Sequence, residues 1–435
     1  MKYTLVCTTC GKVFEDFNEW FNHNQVCPVC RKTRVEAHYN TDYQRLKDLI
    51  YDKDRSDFSI WHYFDFLPLK DSKNIVTSPE PPLSLDRWNF LEKFAKENFN
   101  IDCKVHACRN DEHYATGSFK DPGAMLAASV LKEAGRNEYI VASTGNVANA
   151  FAYYMAKAGI SLSAFVPQDA LALNSAGVSC YGEKVFRVQG DYAAAKKVAA
   201  DYAAKYGILM TGGNTDPLRV EAKRTQVFDW LRYLPQFPTM YIQALSGGTG
   251  PISIEKAFRE IKELDLIRAL PRFIMIQPDG CSPMFQAWKE AKATGFPEGW
   301  KTKYPIIDNP VTKVPTLATG NPGSYPVIAD LVEKSSGEIL EVAESKLVDV
   351  VRWVAYEAVV AIGPAAATAV LGFIQALREK QVRDGEVILL NIGEGISRAP
   401  ELLQEMNYTE ESVASVEDCK RFDRAQLKNR LLSQL

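Results

Sequence analysis

The sequence has little net charge of either sign. Its 51 basic residues nearly balance its 54 acidic residues, and the formal charge is −3. A protein that binds nucleic acid needs a basic excess or a basic patch. We therefore expect no nucleic-acid partner.

Long apolar segments are also lacking. The first residues, MKYTLVCTTCG, contain no apolar core of a signal peptide. The longest uncharged run, AVVAIGPAAATAVLGFI, is broken by Gly363 and Pro364, and a helix that spans a membrane needs about 20 apolar residues. The sequence predicts no membrane partner and a cytoplasmic location, and the run is better interpreted as a buried helix that begins near Pro364.

Cysteine is scarce after residue 30, and the five scattered thiols there show no secreted disulfide pattern. The other four, Cys7, Cys10, Cys27 and Cys30, form two C-x2-C pairs that are sixteen residues apart. Four thiolates with no open position are typical of a closed structural zinc site. We predict a zinc ribbon over residues 1–40, in which the metal carries no chemistry.

An alternation of strands and helices is indicated from about residue 115 to residue 395. Short apolar, β-branched runs such as EYIVAS (138–143) and TMYIQAL (239–245) are followed by amphipathic or alanine-rich segments. Continuous apolar strands between helices are typical of a parallel sheet that is covered on both faces. The predicted fold class is α/β.

Small turns follow several of these strands. STGN (143–146) and SGGTG (246–250) lie between a strand and a helix, and NIGEG (391–395) follows the last strong strand. Backbone N–H groups at such a helix N-terminus can bind an anion, and three glycines favour a phosphate. The motifs typical of nucleoside triphosphate and dinucleotide sites are absent from the sequence.

One lysine lies in an unusual setting. Lys120 follows Thr-Gly-Ser-Phe and precedes Asp-Pro-Gly, on a short loop before a helix. An isolated loop lysine is usually only solvated. Together with a loop that can bind a monophosphate, however, a lysine indicates pyridoxal phosphate, which a lysine holds covalently.

The motifs resemble those of threonine synthases and their fold-type-II relatives. TGSFKDPGA looks like the lysine motif of that family, STGN like its asparagine loop and GNTDPLRVEAKRT like its N-x-x-x-P-x-R-x-E segment, and SGGTG lies where the family binds the cofactor phosphate. The resemblance extends, with gaps, from about residue 58 to residue 400. A zinc ribbon before such a domain resembles some threonine-synthase-like proteins, including cysteate synthases.

The resemblance implies a tryptophan-synthase-β type of fold with two parallel-sheet subdomains, and a homodimer. The expected parts are the ribbon (1–40), an arm with the start of the large subdomain (41–114), the lysine loop with the small subdomain (115–240), the large cofactor-binding subdomain (241–403) and a helical tail (404–435).

The resemblance also implies roles for individual residues, with Lys120 holding pyridoxal phosphate and acting as the base at Cα. The implied cofactor-binding residues are Lys120, Asn146, Ser246, Gly247, Gly248, Thr249, Gly250 and Asn391. The implied substrate-binding residues are Ser143, Thr144, Gly145, Asn146, Arg219, Lys223 and Arg224.

The sequence departs from the family pattern mainly on the substrate side. Pro122 replaces an arginine, and NIGEG lacks the hydroxyl that is expected to face the pyridine nitrogen. We therefore predict that the cofactor is kept and that the substrate is changed: a cysteate-synthase-like reaction of O-phospho-L-serine with sulfite. A threonine synthase that acts on O-phosphohomoserine is the alternative. A catalytically inactive zinc-ribbon interaction protein is a third hypothesis.

Overall fold

A computed structural model describes residues 1–143, 145–419 and 421–434. The strands in these ranges are β1 (Tyr3–Cys7), β2 (Val13–Phe14), β3 (Val35–Tyr39), β4 (Leu85–Arg87), β5 (Lys104–Cys108), β6 (Glu138–Ala142), β7 (Ser161–Pro167), β8 (Lys184–Val188), β9 (Met240–Ala244), β10 (Arg272–Pro278), β11 (Glu338–Val342) and β12 (Val387–Asn391). The α-helices are α1 (Phe17–Asn22), α2 (Gln44–Ile50), α3 (Asn89–Phe99), α4 (Asp121–Glu133), α5 (Asn146–Ala158), α6 (Ala172–Ser179), α7 (Tyr192–Tyr206), α8 (Pro217–Tyr233), α9 (Thr249–Glu263), α10 (Pro283–Ala293), α11 (Tyr325–Lys334), α12 (Leu347–Ala358), α13 (Pro364–Arg378), α14 (Pro400–Gln404) and α15 (Arg424–Ser433).

The larger sheet has the strand order β11-β10-β9-β12-β5-β4. Its strands are parallel except β4, which pairs antiparallel with β5 at the edge. Strands β10 and β12 are buried throughout, as continuous apolar runs require when helices cover both faces. The α/β prediction is confirmed. The short strand β4 was not predicted, because its three residues, LDR, carry no apolar pattern.

The smaller sheet is parallel, with the order β6-β7-β8. Helices α5 and α7 pack against it. Helix α7 ends at Gly207, which has the left-handed conformation that glycine adopts at low cost (φ 66°).

The N-terminal part is an antiparallel sheet of order β2-β1-β3, and its buried aromatic residues belong to the same hydrophobic core as residues of the α/β domain. The four Sγ atoms of its C-x2-C pairs lie within 4.8 Å of one another. The distance from Cys7 to Cys30 is 3.5 Å and that from Cys10 to Cys27 is 3.6 Å. Tetrahedral thiolates at zinc would be roughly 3.8 Å apart, so this cluster fits a metal ion.

Buried charges join this ribbon to the α/β domain. Glu221, on α8, accepts hydrogen bonds from the Ala37 N–H (3.1 Å) and the Tyr39 hydroxyl (2.8 Å) of β3. Its carboxylate also pairs with Arg224 (2.8 Å) and with Lys256 on α9. Burial alone would raise the pKa of Glu221, but the charges of Lys256 and Arg224 lower it to about 2.

The aromatic-rich part of the predicted arm, residues 58–69, packs against α8. The Tyr63 ring lies 5.1 Å from the Phe228 ring, edge to face. The Tyr63 hydroxyl donates to Asp229 at 2.7 Å, and Arg55 pairs with the same carboxylate at 2.5 Å.

Helix α13 begins at Pro364 and is almost entirely buried, as the sequence predicts. In the part of the chain that the structure describes, every helix is too short or too polar to cross a membrane.

We predict that Glu221→Gln lowers the free energy of unfolding at neutral pH by about 3–5 kcal/mol, because it leaves the two buried cations Arg224 and Lys256 with Glu260 as their one shared carboxylate. A lowered carboxylate pKa stabilises the fold above the ordinary value of 4.5, and this contribution is lost as the pH falls towards 2. The difference between wild type and variant in denaturant titrations should therefore shrink over that interval.

Glu263→Gln is the matched control, since Glu263 is an exposed residue near the end of α9. Its effect should stay within about 0.5 kcal/mol. Equal effects of the two substitutions would contradict the assigned role of Glu221.

Candidate active site

A cavity of about 970 Å³, its mouth included, lies where the carboxyl ends of the two sheets face each other. Lys120, the SGGTG loop after β9 and the NIGEG segment after β12 all contribute to its wall. This is the position at which parallel α/β sheets bind ligands.

Lys120 is the residue that precedes α4, and its loop is held from both sides. Within the loop, the Asp121 carboxylate accepts hydrogen bonds from the N–H and the hydroxyl of Thr116. On the other side, the Phe119 N–H donates to the Gly393 carbonyl at 2.9 Å. The loop thus fixes Lys120 against the segment that follows β12.

Burial lowers the pKa of Lys120 to about 8, and the nearby positive charge of Arg219 acts in the same direction. A substantial fraction of the amine is then uncharged near neutral pH. An uncharged lysine amine is a nucleophile and a base, which is the chemistry that the sequence assigned to Lys120.

The SGGTG loop provides hydrogen-bond donors with no acceptor. Among the described residues, no hydrogen bond is donated by the backbone N–H groups of residues 246–250, and the buried hydroxyl of Thr249 has no partner. Helix α9 begins at Thr249, so its positive end adds to these donors. Gly248 has φ +86°, and a Cβ there would lie 2.3 Å from Ile328. The loop therefore fits a phosphate group.

The STGN turn is built around Ser143, which lines the cavity. Its hydroxyl accepts hydrogen bonds from the N–H groups of Gly145 (3.0 Å) and Ala148 (3.3 Å). Thr144, which the sequence assigned to substrate binding, lies outside the described residues.

The Asn146 side chain does not line the cavity in this structure. Its amide donates to Glu394 at 2.5 Å, and its carbonyl oxygen accepts from Arg398 at 2.9 Å. Glu394 is buried and does line the cavity. The assigned contact from Asn146 to the cofactor stays a prediction, and it requires Asn146 to change partners.

The last predicted cofactor residue, Asn391, does line the cavity. Its side-chain oxygen accepts a hydrogen bond from the Asn110 amide at 2.8 Å. The NH2 group of Asn391 has no acceptor among the described residues, which leaves it able to donate to a ligand.

Two cations besides Lys120 line the cavity, Arg219 and Lys223, both on α8. Arg219 donates to the Gly213 carbonyl at 2.6 Å. The Lys223 ammonium lies 3.5 Å from the centre of the Phe119 ring. No hydrogen bond or ion pair joins the Lys223 ammonium to any other residue in the described ranges, although the residue is only 2% exposed.

Arg224 is placed differently from its predicted role. Its guanidinium pairs with Glu221 and Glu260 and donates to the Phe66 carbonyl, in the network that binds the ribbon. Arg224 is fully buried there and is not part of the cavity wall. The geometry thus gives Arg224 a structural role and not the predicted contact with substrate.

Several polar wall residues were not assigned from the sequence, among them Glu394, Asn214 and Thr319. Asn214 belongs to the segment GNTDPLRVEAKRT, from which only Arg219, Lys223 and Arg224 were predicted as site residues, and its amide lies against Gly247. Thr319 shares a 2.7 Å hydrogen bond with Ser246. Glu394 was visible in NIGEG, but that segment was interpreted only as a turn or a tight approach to a ligand.

The family model described as "Pyridoxal-phosphate dependent enzyme" matches residues 92–393. The threonine synthase of Methanocaldococcus jannaschii is 28% identical over 397 residues, which cover 90% of this chain and 92% of that protein. The cysteate synthase of Methanococcoides burtonii is 26% identical over 407 residues, or 92% and 91% of the two chains. Maize serine racemase has a similar fold, with a TM-score of 0.59 and 19% identity over 75% of this chain and 92% of its own.

We predict that pyridoxal phosphate labels Lys120 at a rate that rises with pH around a midpoint near 8, because only the uncharged amine attacks the aldehyde. The measurement is borohydride trapping at a series of pH values, followed by peptide mass spectrometry. Below the midpoint the amine is protonated, so labelling should be slow there.

Lys120→Ala should lose the labelled peptide, and Lys132→Ala, on an exposed position of the same helix, should keep it. A midpoint close to the ordinary lysine value of 10.5 would show that the environment of Lys120 is misassigned.

Proposed function

Because the chain belongs to the family of pyridoxal-phosphate dependent enzymes, we propose that it catalyses a β-replacement in which O-phospho-L-serine and sulfite give L-cysteate and phosphate. The observation that carries this proposal is the unpaired ammonium of Lys223, which lies with Arg219 in the wall of the Lys120 cavity. Both the leaving group and the incoming group of this reaction are small oxyanions, which such cations bind.

The cofactor would be held by Lys120 and by the free N–H groups of residues 246–250, where the structure offers an amine and a phosphate cup. When bound, pyridoxal phosphate supplies the electron sink that makes the Cα proton of an amino acid acidic. In the proposed reaction the protein supplies the base and the oxyanion donors.

The atoms of the proposed reaction balance without an oxidant or reductant. The Cα–H bond breaks and Lys120 accepts the proton; the Cβ–O bond breaks and the phosphate leaves with its electron pair. The sulfur of sulfite then forms a bond to Cβ, and Lys120 returns a proton to Cα. One lysine serves as base and then as acid, which its pKa of about 8 permits near neutral pH.

We propose that Arg219 and Lys223 bind the leaving phosphate and the incoming sulfite. Burial lowers the pKa of Lys223 well below its ordinary value, and the charges of Lys120 and Arg219 add to this effect. A bound dianion would raise the pKa of Lys223 again, because it places a negative charge beside an ammonium that forms no ion pair with the protein. Lys223 therefore gains most from a phosphate or a sulfite.

The second candidate is a threonine synthase that acts on O-phosphohomoserine. The similarity to the threonine synthase of M. jannaschii over 90% of this chain supports it. That reaction needs proton removal at Cβ as well as at Cα, and a cavity that accepts one more methylene group. The third hypothesis, a catalytically inactive interaction protein, is not supported. The chain retains Lys120 and the SGGTG loop, which only an active enzyme of this type would need.

We also propose that the four-cysteine cluster holds one structural zinc ion, because its sulfur spacing fits four-coordinate thiolate ligation. The domain boundaries, the homodimer and the cytoplasmic location that the sequence indicates remain predictions.

We predict sulfite-dependent formation of cysteate from phosphoserine, with one phosphate released for each cysteate formed. The measurement is phosphate release and amino-acid analysis for phosphoserine and for phosphohomoserine, each with and without sulfite. Efficient formation of threonine from phosphohomoserine, without product from phosphoserine and sulfite, would favour the second candidate.

We predict about one zinc ion per chain by metal analysis, and loss of that ion in Cys27→Ser. The variant should be less stable, because metal binding contributes to the folding of the ribbon. Cys180→Ser, at an exposed cysteine outside the cluster, should keep the ion. A metal-free variant with a stable ribbon and no activity would instead indicate a catalytic metal.

A further inference from the structure

A second cavity lies on the other side of Phe119 and Lys223, and these two residues belong to the walls of both cavities. It has a volume of about 610 Å³ with its mouth included. Its wall is mainly apolar and comes from the arm, from residues 80–83 and from helices α4 and α8. The apolar lining residues are Phe58, Ile60, Tyr63, Pro81, Pro82, Leu83, Phe119, Pro122, Met125 and Ala222.

The carboxylates in this wall already have partners. Asp229 is bound by Arg55 and Tyr63. Glu80 is bound by His113 at 3.0 Å and by the Tyr154 hydroxyl at 3.2 Å. A ligand ammonium would therefore find no free carboxylate in the described wall.

The other cations of the wall are paired as well. Arg109 forms ion pairs with Asp86, Asp111 and Glu112 at 2.8–3.1 Å. His113 contacts Glu80 through one ring nitrogen and Asn110 through the other. Lys223 is thus the one charged group of the described wall that has no hydrogen-bond or ion-pair partner.

We propose that this second cavity binds a small carboxylate with an apolar body, whose single negative charge is held by Lys223. The apolar body would lie among Phe58, Leu83 and Met125. A dianion such as phosphate fits less well, because one ammonium among apolar groups cannot solvate two charges. A zwitterionic amino acid fits less well, because its ammonium would be buried without a partner.

The position of Lys223 gives such a ligand a regulatory effect. If the ligand holds the ammonium in the second cavity, the same ammonium cannot bind an oxyanion in the Lys120 cavity. The ligand should then compete with the oxyanion that the reaction uses. This consequence rests on the proposed function, whereas the binding site itself does not.

The first test is calorimetric titration of the holoenzyme with 3-phenylpropanoate, with 3-phenylpropanamide as the uncharged isostere and with L-phenylalanine as the zwitterion. We expect saturable binding of the carboxylate, and at least about tenfold weaker binding of the other two. Lys223→Gln should remove the preference for the carboxylate over the amide. Absence of saturable binding, or equal binding of all three compounds, would overturn the proposal.

Substitutions in the wall of the second cavity, away from Lys120, test whether the ligand binds there. Leu83→Trp fills the apolar end and Phe58→Ala removes part of it; both side chains are partly exposed. Each variant should weaken binding of 3-phenylpropanoate, and Leu83→Ile should retain it. Unchanged binding in both folded variants, as judged by circular dichroism, would place the ligand elsewhere and overturn the assignment.

The second test is steady-state inhibition. We expect 3-phenylpropanoate to raise the apparent KM for sulfite in the wild type and to do so far less in Leu83→Trp. Binding without any turnover of phosphoserine and sulfite would contradict the proposed function while supporting the site. Turnover that follows the proposed reaction, without binding in the first test, would contradict the site alone.

Discussion

The burial of helix α8 is the constraint on which the remaining architecture depends. This helix is enclosed over most of its length, although it carries charged residues of both signs. A buried charge is costly unless a partner of opposite sign and further hydrogen bonds accompany it. Each buried charge on α8 therefore requires a partner of opposite charge or a hydrogen-bonding group beside it. The ribbon, the arm and the α/β domain supply these partners and meet along this helix.

One face of α8 meets that requirement with protein groups. Glu221 is satisfied by Arg224, by Lys256 from α9 and by Tyr39 from the ribbon. Asp229 is satisfied by Arg55 and Tyr63 of the arm. The ribbon and the arm are thus held to the α/β domain through carboxylates of the same helix that lines the candidate active site. A ribbon with a purely structural role, as we propose, would therefore still be coupled to the helix that lines the site.

The sequence was informative where a local pattern implies a local structure. Lys120, the SGGTG loop and the α/β strands were predictable because turn residues, glycines and apolar runs act through their immediate neighbours. It was less informative for Arg224 and Asn146, because their partners come from distant parts of the chain: Glu260, Phe66 and Glu394. Residues of one short motif, PLRVEAKRT, divide between the cavity and the ribbon interface. The periodicity of the sequence predicts that these residues lie on a helix, but it does not predict which residues pack against each face of that helix.

The two anion sites that we propose in the Lys120 cavity would use different physical means. The SGGTG loop offers uncharged N–H groups and a helix end, which bind a phosphate without a counter-charge in direct contact. Under the proposed function, the substrate side offers Arg219 and Lys223, whose pKa values are lowered by burial and would be raised again by an arriving anion. These two kinds of site would distinguish the cofactor phosphate, which stays bound, from the leaving oxyanion of the proposed reaction. Under the proposed function, the first would be held by an array of dipoles. The second would be held by Arg219, which stays charged, and by Lys223, whose amine can take up a proton when the oxyanion arrives and release it when the oxyanion departs.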